Sequence, residues 1–124
     1  MQKKRILIVD DDPTAIKLLR LNIESMGDFE VFTESQGSYA VVAARECRPD
    51  LVIMDIMMPD MLGSDAAAAL QEDSVLGGIK VVFITSMLKK GEERKPGKGN
   101  GAQTIFAKPL SKVELVDIIK QAFS

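Results

Sequence analysis

Three stretches of this chain leave little choice of architecture: RILIV at 5–9, LVIM at 51–54 and VVFIT at 81–85. Each is a short, almost unbroken run of branched apolar residues, without the polar alternation of a strand that has one face in water. Such runs belong to strands covered on both faces, as in a parallel sheet with helices on either side. FEVFT (29–33) and TIFA (104–107) add two weaker strand patterns. Between the strands the apolar period lengthens. Ile16, Leu19, Ile23 and Met26 recur at helical spacing, with Asp12 at the N-cap position, Pro13 in the first turn and Gly27 just past the end. Residues 38–47 predict a helix of small apolar residues, and SDAAAALQE (64–72) predicts a third helix capped by Ser64. A last helix opens on the capping box Ser111 to Glu114 and packs Val113, Val116, Ile119 and Phe123. The order β-α-β-α-β-α-β, then an interval, then β-α, predicts an α/β doubly wound parallel sheet with right-handed crossovers. With 124 residues, no internal repeat and no linker, the expectation is one domain over 1–124.

Sheets of this kind hold ligands beyond the carboxyl ends of their strands, where strand order reverses. Asp10, Asp11 and Asp12 follow the first strand and Asp55 follows the third. Thr85 and Ser86 stand at the end of the fourth, and Lys108 follows the fifth. Asp12 is explained as a helix cap. The other charges are costly at a buried edge unless they meet partners or a ligand. Carboxylates converging from two strands form a hard-oxygen site suited to Mg2+, while a hydroxyl and a lysine beside them suit a phosphoryl group. The chain has no histidine, so any histidine chemistry must come from another molecule. Its net charge of −2 gives no general attraction to nucleic acid or to an anionic membrane. The single cysteine, Cys47, excludes an internal disulfide and is expected to be a small apolar residue near a helix end. No apolar run reaches membrane-spanning length and no leader pattern precedes the first strand, so the expected location is cytoplasmic.

VDDDP (9–13), IMDIMMPDMLG (53–63), FITS (83–86) and AKP (107–109) stand in an order and approximate spacing that resembles the receiver domain of two-component response regulators. The likeness spans the whole chain. It implies a flavodoxin-like sheet in the order 2-1-3-4-5, with Asp55 as phospho-acceptor. It also implies Mg2+ held by Asp11 directly, by Asp10 through water, by Asp55 and by the backbone carbonyl of Met57. Thr85 would bond the phosphoryl group, Lys108 would pair with it, and the peptide before Pro109 would be cis. The implied partners are a sensor histidine kinase or histidine phosphotransfer protein and a downstream protein reached by conformational change. Such a domain catalyses only its own phosphorylation and dephosphorylation.

Two other functions fit parts of the chain. Asp10-x-Asp12-x-Thr14 resembles the first motif of haloacid-dehalogenase-type phosphohydrolases, but that family needs an acidic pair at the end of a further strand. After Lys108 only Glu114 and Asp117 remain, both on a predicted helix. The stronger alternative is an interaction module on the receiver fold that works without phosphorylation, because two features depart from the family. KKGEERKPGKGNGA (89–102) occupies the interval of the usual fourth helix, yet its four glycines and one proline oppose a helix, and we expect a loop. Its glycines lead into a strand rather than out of one, which excludes a dinucleotide fingerprint, and it has no aromatic residue to stack bases. Ile105 stands where the family usually has an aromatic residue coupled to the threonine. Met57 and Met87 occupy the two positions best placed to orient or exclude water at a phosphorylated Asp55, and both are apolar.

Overall fold

The computed structural model describes residues 3–88 and 104–124; the loop expected over 89–102 lies outside the described residues. Five parallel strands, β1 (Lys4–Val9), β2 (Phe29–Glu34), β3 (Leu51–Asp55), β4 (Lys80–Thr85) and β5 (Ile105–Ala107), form one sheet in the order β2-β1-β3-β4-β5. This is the expected doubly wound order. The order reverses at β1, so the crevice between the ends of β1 and β3 is the switch point of the sheet.

Alternation along each strand divides two cores. Leu7, Val9, Val52 and Met54 face α2 (Ala40–Cys47) and α3 (Gly63–Glu72), where Ala40, Ala44, Ala66, Ala67 and Leu70 pack on them. Ile6, Ile8, Leu51 and Ile53 face α1 (Pro13–Glu24) and α4 (Lys112–Ala122), against Leu19, Ile23, Leu115 and Ile119. Burying each large aliphatic side chain is worth about 1.5–3 kcal/mol, and β1 and β3 supply them from both faces. The unbroken runs are apolar throughout for this reason.

Helix ends follow local chemistry, with some corrections to expectation. Asp12 caps α1 by accepting from the Thr14 N–H at 3.0 Å, and Gly27 takes a positive φ of 85° three residues after the last helical residue. Met26 lies beyond the end of α1 but still packs on its core. The second helical segment begins as a 3-10 turn, Gly37–Tyr39, before α2 proper. Cys47 is the buried last residue of α2, as expected. Ser64 is not the cap of α3: that helix starts at Gly63, with Leu62 in the cap position and no side-chain cap bond. A Cβ at residue 63 would stand 2.2 Å from the Asp55 carbonyl oxygen, so this tight approach of backbone to backbone requires glycine. It brings the chain into the helix earlier than a serine cap would, with the cap position at 62 rather than 64.

The capping box Ser111–Glu114 forms as expected, but Val113 is 73% exposed and lies off the packing stripe, which runs through Leu115, Ile118 and Ile119. Capping fixes where α4 begins and leaves its rotation to the core. Among the described residues, no helix is long and apolar enough to cross a membrane.

Candidate functional site

The carboxyl ends of β1, β3, β4 and β5 come together around three side chains that are polar and almost wholly buried: Asp10, Asp55 and Thr85. Backbone bonds fix the loops that carry them. The Asp10 N–H reaches the Glu34 carbonyl at 3.0 Å, the Ile56 N–H the Ile84 carbonyl at 3.0 Å, and the Lys108 N–H the Thr85 carbonyl at 2.8 Å. The Lys108–Pro109 peptide is cis.

Lys108 reaches into the cluster from the edge of the sheet. Its Nζ lies 2.7 Å from Asp10 Oδ2 and 3.5 Å from Asp55 Oδ2. Burial alone would lower the pKa of this ammonium, but its hydrogen bond and attraction to Asp10, and then its attraction to Asp55, carry it above the ordinary lysine value. Asp10 Oδ1 accepts from the Asp12 N–H at 2.9 Å, whereas Oδ2, fully buried, has the ion pair with Lys108 but no well-directed hydrogen bond.

Asp11 stands exposed at the mouth, and carboxylate oxygens of Asp10, Asp11 and Asp55 lie within 4.8 Å of one another. Among the described residues Lys108 pairs with two of these three acids. Burial and the neighbouring Asp10 carboxylate raise the Asp55 carboxyl from 3.8 to about 6, against the opposing pull of Lys108 and the Met57 N–H.

The Thr85 hydroxyl accepts from the Met87 N–H at 3.1 Å. Met57, two residues beyond Asp55, is 49% exposed and pairs with Leu62 in an antiparallel bridge; Met87 is 72% exposed. Beside Lys108 a mainly apolar groove of about 290 Å³ runs between α1 and the β5–α4 loop, with Leu18, Pro109 and Leu110 in its walls. Ile105, half-buried, packs against the core shared with α2 and α3.

Asp10, Asp11, Asp55, Thr85 and Lys108 thus converge on one end of the sheet. Asp12 does not join them, since its carboxylate is occupied at the helix cap. That removes the second acid of a phosphohydrolase motif from the cluster. Sequence reasoning missed Asp60, whose carboxylate reaches residues 37 and 38 on another loop; only its place after Pro59 hinted at a turn.

The family model described as "Response regulator receiver domain" matches residues 6–120. The chain belongs to the response regulator receiver family. Two Brucella proteins named polar-differentiation response regulator DivK, from B. anthropi and B. ovis, are 35% and 34% identical to it over 117 residues, which is 94% of this chain and 94% of theirs. A putative response regulator from Chloroflexus aurantiacus superposes with a TM-score of 0.83 at 26% identity, covering 98% of both chains. The chemotaxis protein CheY4 of Vibrio cholerae shares the fold with a TM-score of 0.83 at 24% identity over 97% of this chain and 98% of that one. Receiver domains are signalling modules of two-component systems, and phosphoryl acceptance is general to the family.

Receiver domains generally bind Mg2+ at an acidic pocket, and the donor set here fits that ion. The donors are all hard oxygens, the carboxylates crowd one another, and the buried Asp10 Oδ2 lacks a full set of bonds. Asp10, Asp11 and Asp55 bring together the carboxylate oxygens that such an ion would take.

Proposed function

We propose that this receiver accepts a phosphoryl group on Asp55 from a phosphohistidine of another protein, in a Mg2+-dependent reaction, and signals through the resulting change around the site. The observation that carries this reading is the imbalance at Asp55. It is a buried carboxylate beside a second one, and among the described residues Lys108 alone pairs with both. Such a group favours any event that spreads or neutralises its charge.

In the transfer, Asp55 Oδ attacks phosphorus, the P–N bond of the donor breaks, and the imidazole leaves with its electron pair and takes up a proton. Bound Mg2+ would supply positive charge to the phosphoryl oxygens as they approach. Lys108 already stands within reach of the Asp55 carboxylate and can pair with one such oxygen. Thr85 accepts a bond from Met87 and retains its own hydroxyl proton to donate to another. The Leu18–Leu110 groove beside Lys108 offers an apolar footing for the donor. A sensor histidine kinase or a histidine phosphotransfer protein fits that role, because this chain has no histidine of its own.

Incubation with Mg2+ and acetyl phosphate, followed by intact-mass measurement, is expected to show one phosphoryl adduct that disappears without Mg2+ and in Asp55→Asn. An adduct that persists in Asp55→Asn and is lost in Asp10→Asn would favour phosphohydrolase chemistry. No adduct at all would favour an interaction module that works without phosphorylation.

A further inference from the structure

Asp60 is exposed and takes no part in the carboxylate cluster, yet it makes a long-range connection. Its carboxylate accepts from the Gly37 N–H at 3.2 Å and from the Ser38 N–H at 2.9 Å, across more than twenty residues of sequence. The same contact is packed underneath. Met58 is 7% exposed, and a Cβ on Gly37 would come within 2.8 Å of its Cε and 3.3 Å of the Met61 Cβ. The loop that follows Asp55 is closed at its base by the Met57–Leu62 bridge and by the Gly63 N–H on the Ile56 carbonyl at 2.7 Å. Its tip docks through Asp60, Met58 and Met61 on the 3-10 turn that opens the second helical segment.

We propose that Asp60 is a positioning residue: by anchoring the 56–63 loop to residues 37 and 38 it fixes where the Met57 carbonyl stands, and it ties movement of that loop to the first turn before α2. The inference rests on the reading that Mg2+ binds among Asp10, Asp11, Asp55 and the Met57 carbonyl. A carboxylate that merely caps a helical turn would affect stability alone. One that positions a ligand-bearing loop changes cation affinity as well, as partners behind metal ligands generally do.

The chain carries one tyrosine and no tryptophan, and that tyrosine, Tyr39, is the last residue of the 3-10 turn and half exposed. Its fluorescence, with the amide resonances of Gly37 and Ser38, reports on the far side of the connection. Mg2+ is titrated into wild type, Asp60→Ala, Asp60→Asn and Arg45→Ala, the last removing the Arg45–Asp73 ion pair between α2 and the end of α3 as a control for general loosening. In wild type, Mg2+ is expected to shift the Gly37 and Ser38 amides and the Tyr39 emission. Asp60→Ala is expected to weaken Mg2+ about tenfold, the lower end of such effects, and to silence those reporters. Asp60→Asn keeps an acceptor oxygen and restores most of the affinity, and Arg45→Ala binds as wild type does.

Unchanged Mg2+ affinity in Asp60→Ala overturns the inference while leaving the metal site intact. Failure of wild type itself to bind Mg2+ overturns the metal site and this inference together. If Asp60→Ala does not fold, the wild-type amide shifts and the Asp60→Asn affinity decide the question.

Discussion

Replacing Asp55 by asparagine is expected to stabilise the metal-free protein at neutral pH, although it removes the proposed phospho-acceptor. In the folded chain, burial and the Asp10 carboxylate raise the Asp55 carboxyl from 3.8 to about 6. The folded state therefore holds the proton more tightly than the unfolded state does. Stability from this group is fully present below about pH 4 and is lost as pH rises through the folded value near 6. At about 1.4 kcal/mol per pH unit, the full loss is about 3 kcal/mol. Asparagine is close to isosteric, cannot ionise, and leaves the Asp10–Lys108 pair at 2.7 Å in place. Loss of the weaker Lys108 contact offsets part of the gain, so we expect about 1–3 kcal/mol above pH 7. For a chain of this size each kcal/mol moves the melting temperature by roughly 3–5 °C.

Thermal and urea melts of both proteins in EDTA, from pH 4 to pH 8, measure the difference directly, and titrations common to both proteins cancel. The gain is expected to vanish near pH 4, to grow between pH 4 and 6.5, and to level off above. A variant that is less stable at pH 7.5, or whose advantage does not change with pH, would refute the claim that charge crowding strains this site.

Asp11→Ala is expected to leave the EDTA melt unchanged or slightly raised, since one of the crowded carboxylates is gone, and to lose the stabilisation that millimolar Mg2+ gives the wild type; melts with and without Mg2+ check both. Gly63→Ala drives a Cβ to 2.2 Å from the Asp55 carbonyl oxygen and 2.8 Å from the Ile56 Cα, and is expected to cost about 2–3 kcal/mol or more in urea unfolding, because backbone must move. The exposed Met57 and Met87 offer water only weakly accepting sulfur. A phosphorylated wild type is therefore expected to lose phosphate more slowly than a Met57→Asn, Met87→Glu double variant, with intact mass followed over time; equal rates would remove the shielding role.

Legibility of the sequence divides along physical lines. The strands were legible because both faces of β1 and β3 are buried, so RILIV and LVIM carry no polar interruption that another structure would explain. The site was legible because charge at a buried sheet edge has few other uses: Asp10, Asp55, Thr85 and Lys108 were singled out by type and place, and the structure brings them together. What failed depended on neighbours distant in sequence. Ser64 had the right chemistry for a cap, but the close approach of Gly63 to Asp55 set the start of α3. Ile119 and Phe123 pack as expected, but Val113 stays exposed and contact with α1 and the sheet buries Leu115 and Ile118 instead. Asp60 was not singled out at all. Its bonds to Gly37 and Ser38 exist only once two loops have met.

The same contrast bears on how a phosphorylated site would pass on its change. A receiver that couples through an aromatic ring needs a side chain able to swing between solvent and a pocket near the threonine. Ile105 offers no ring, and its half-buried side chain packs against the core under α2 and α3. Two other links leave the site. The Thr85 hydroxyl is bound to the Met87 N–H at 3.1 Å, so drawing Thr85 toward a phosphoryl oxygen pulls on the backbone that follows β4. On the other side, the loop after Asp55 is joined through Asp60 to the turn that begins at Gly37. Both links run through backbone groups, and neither needs an aromatic at position 105. On the reading proposed above, a chain with isoleucine there has two routes from Asp55, to the end of β4 and to the start of the second helical segment.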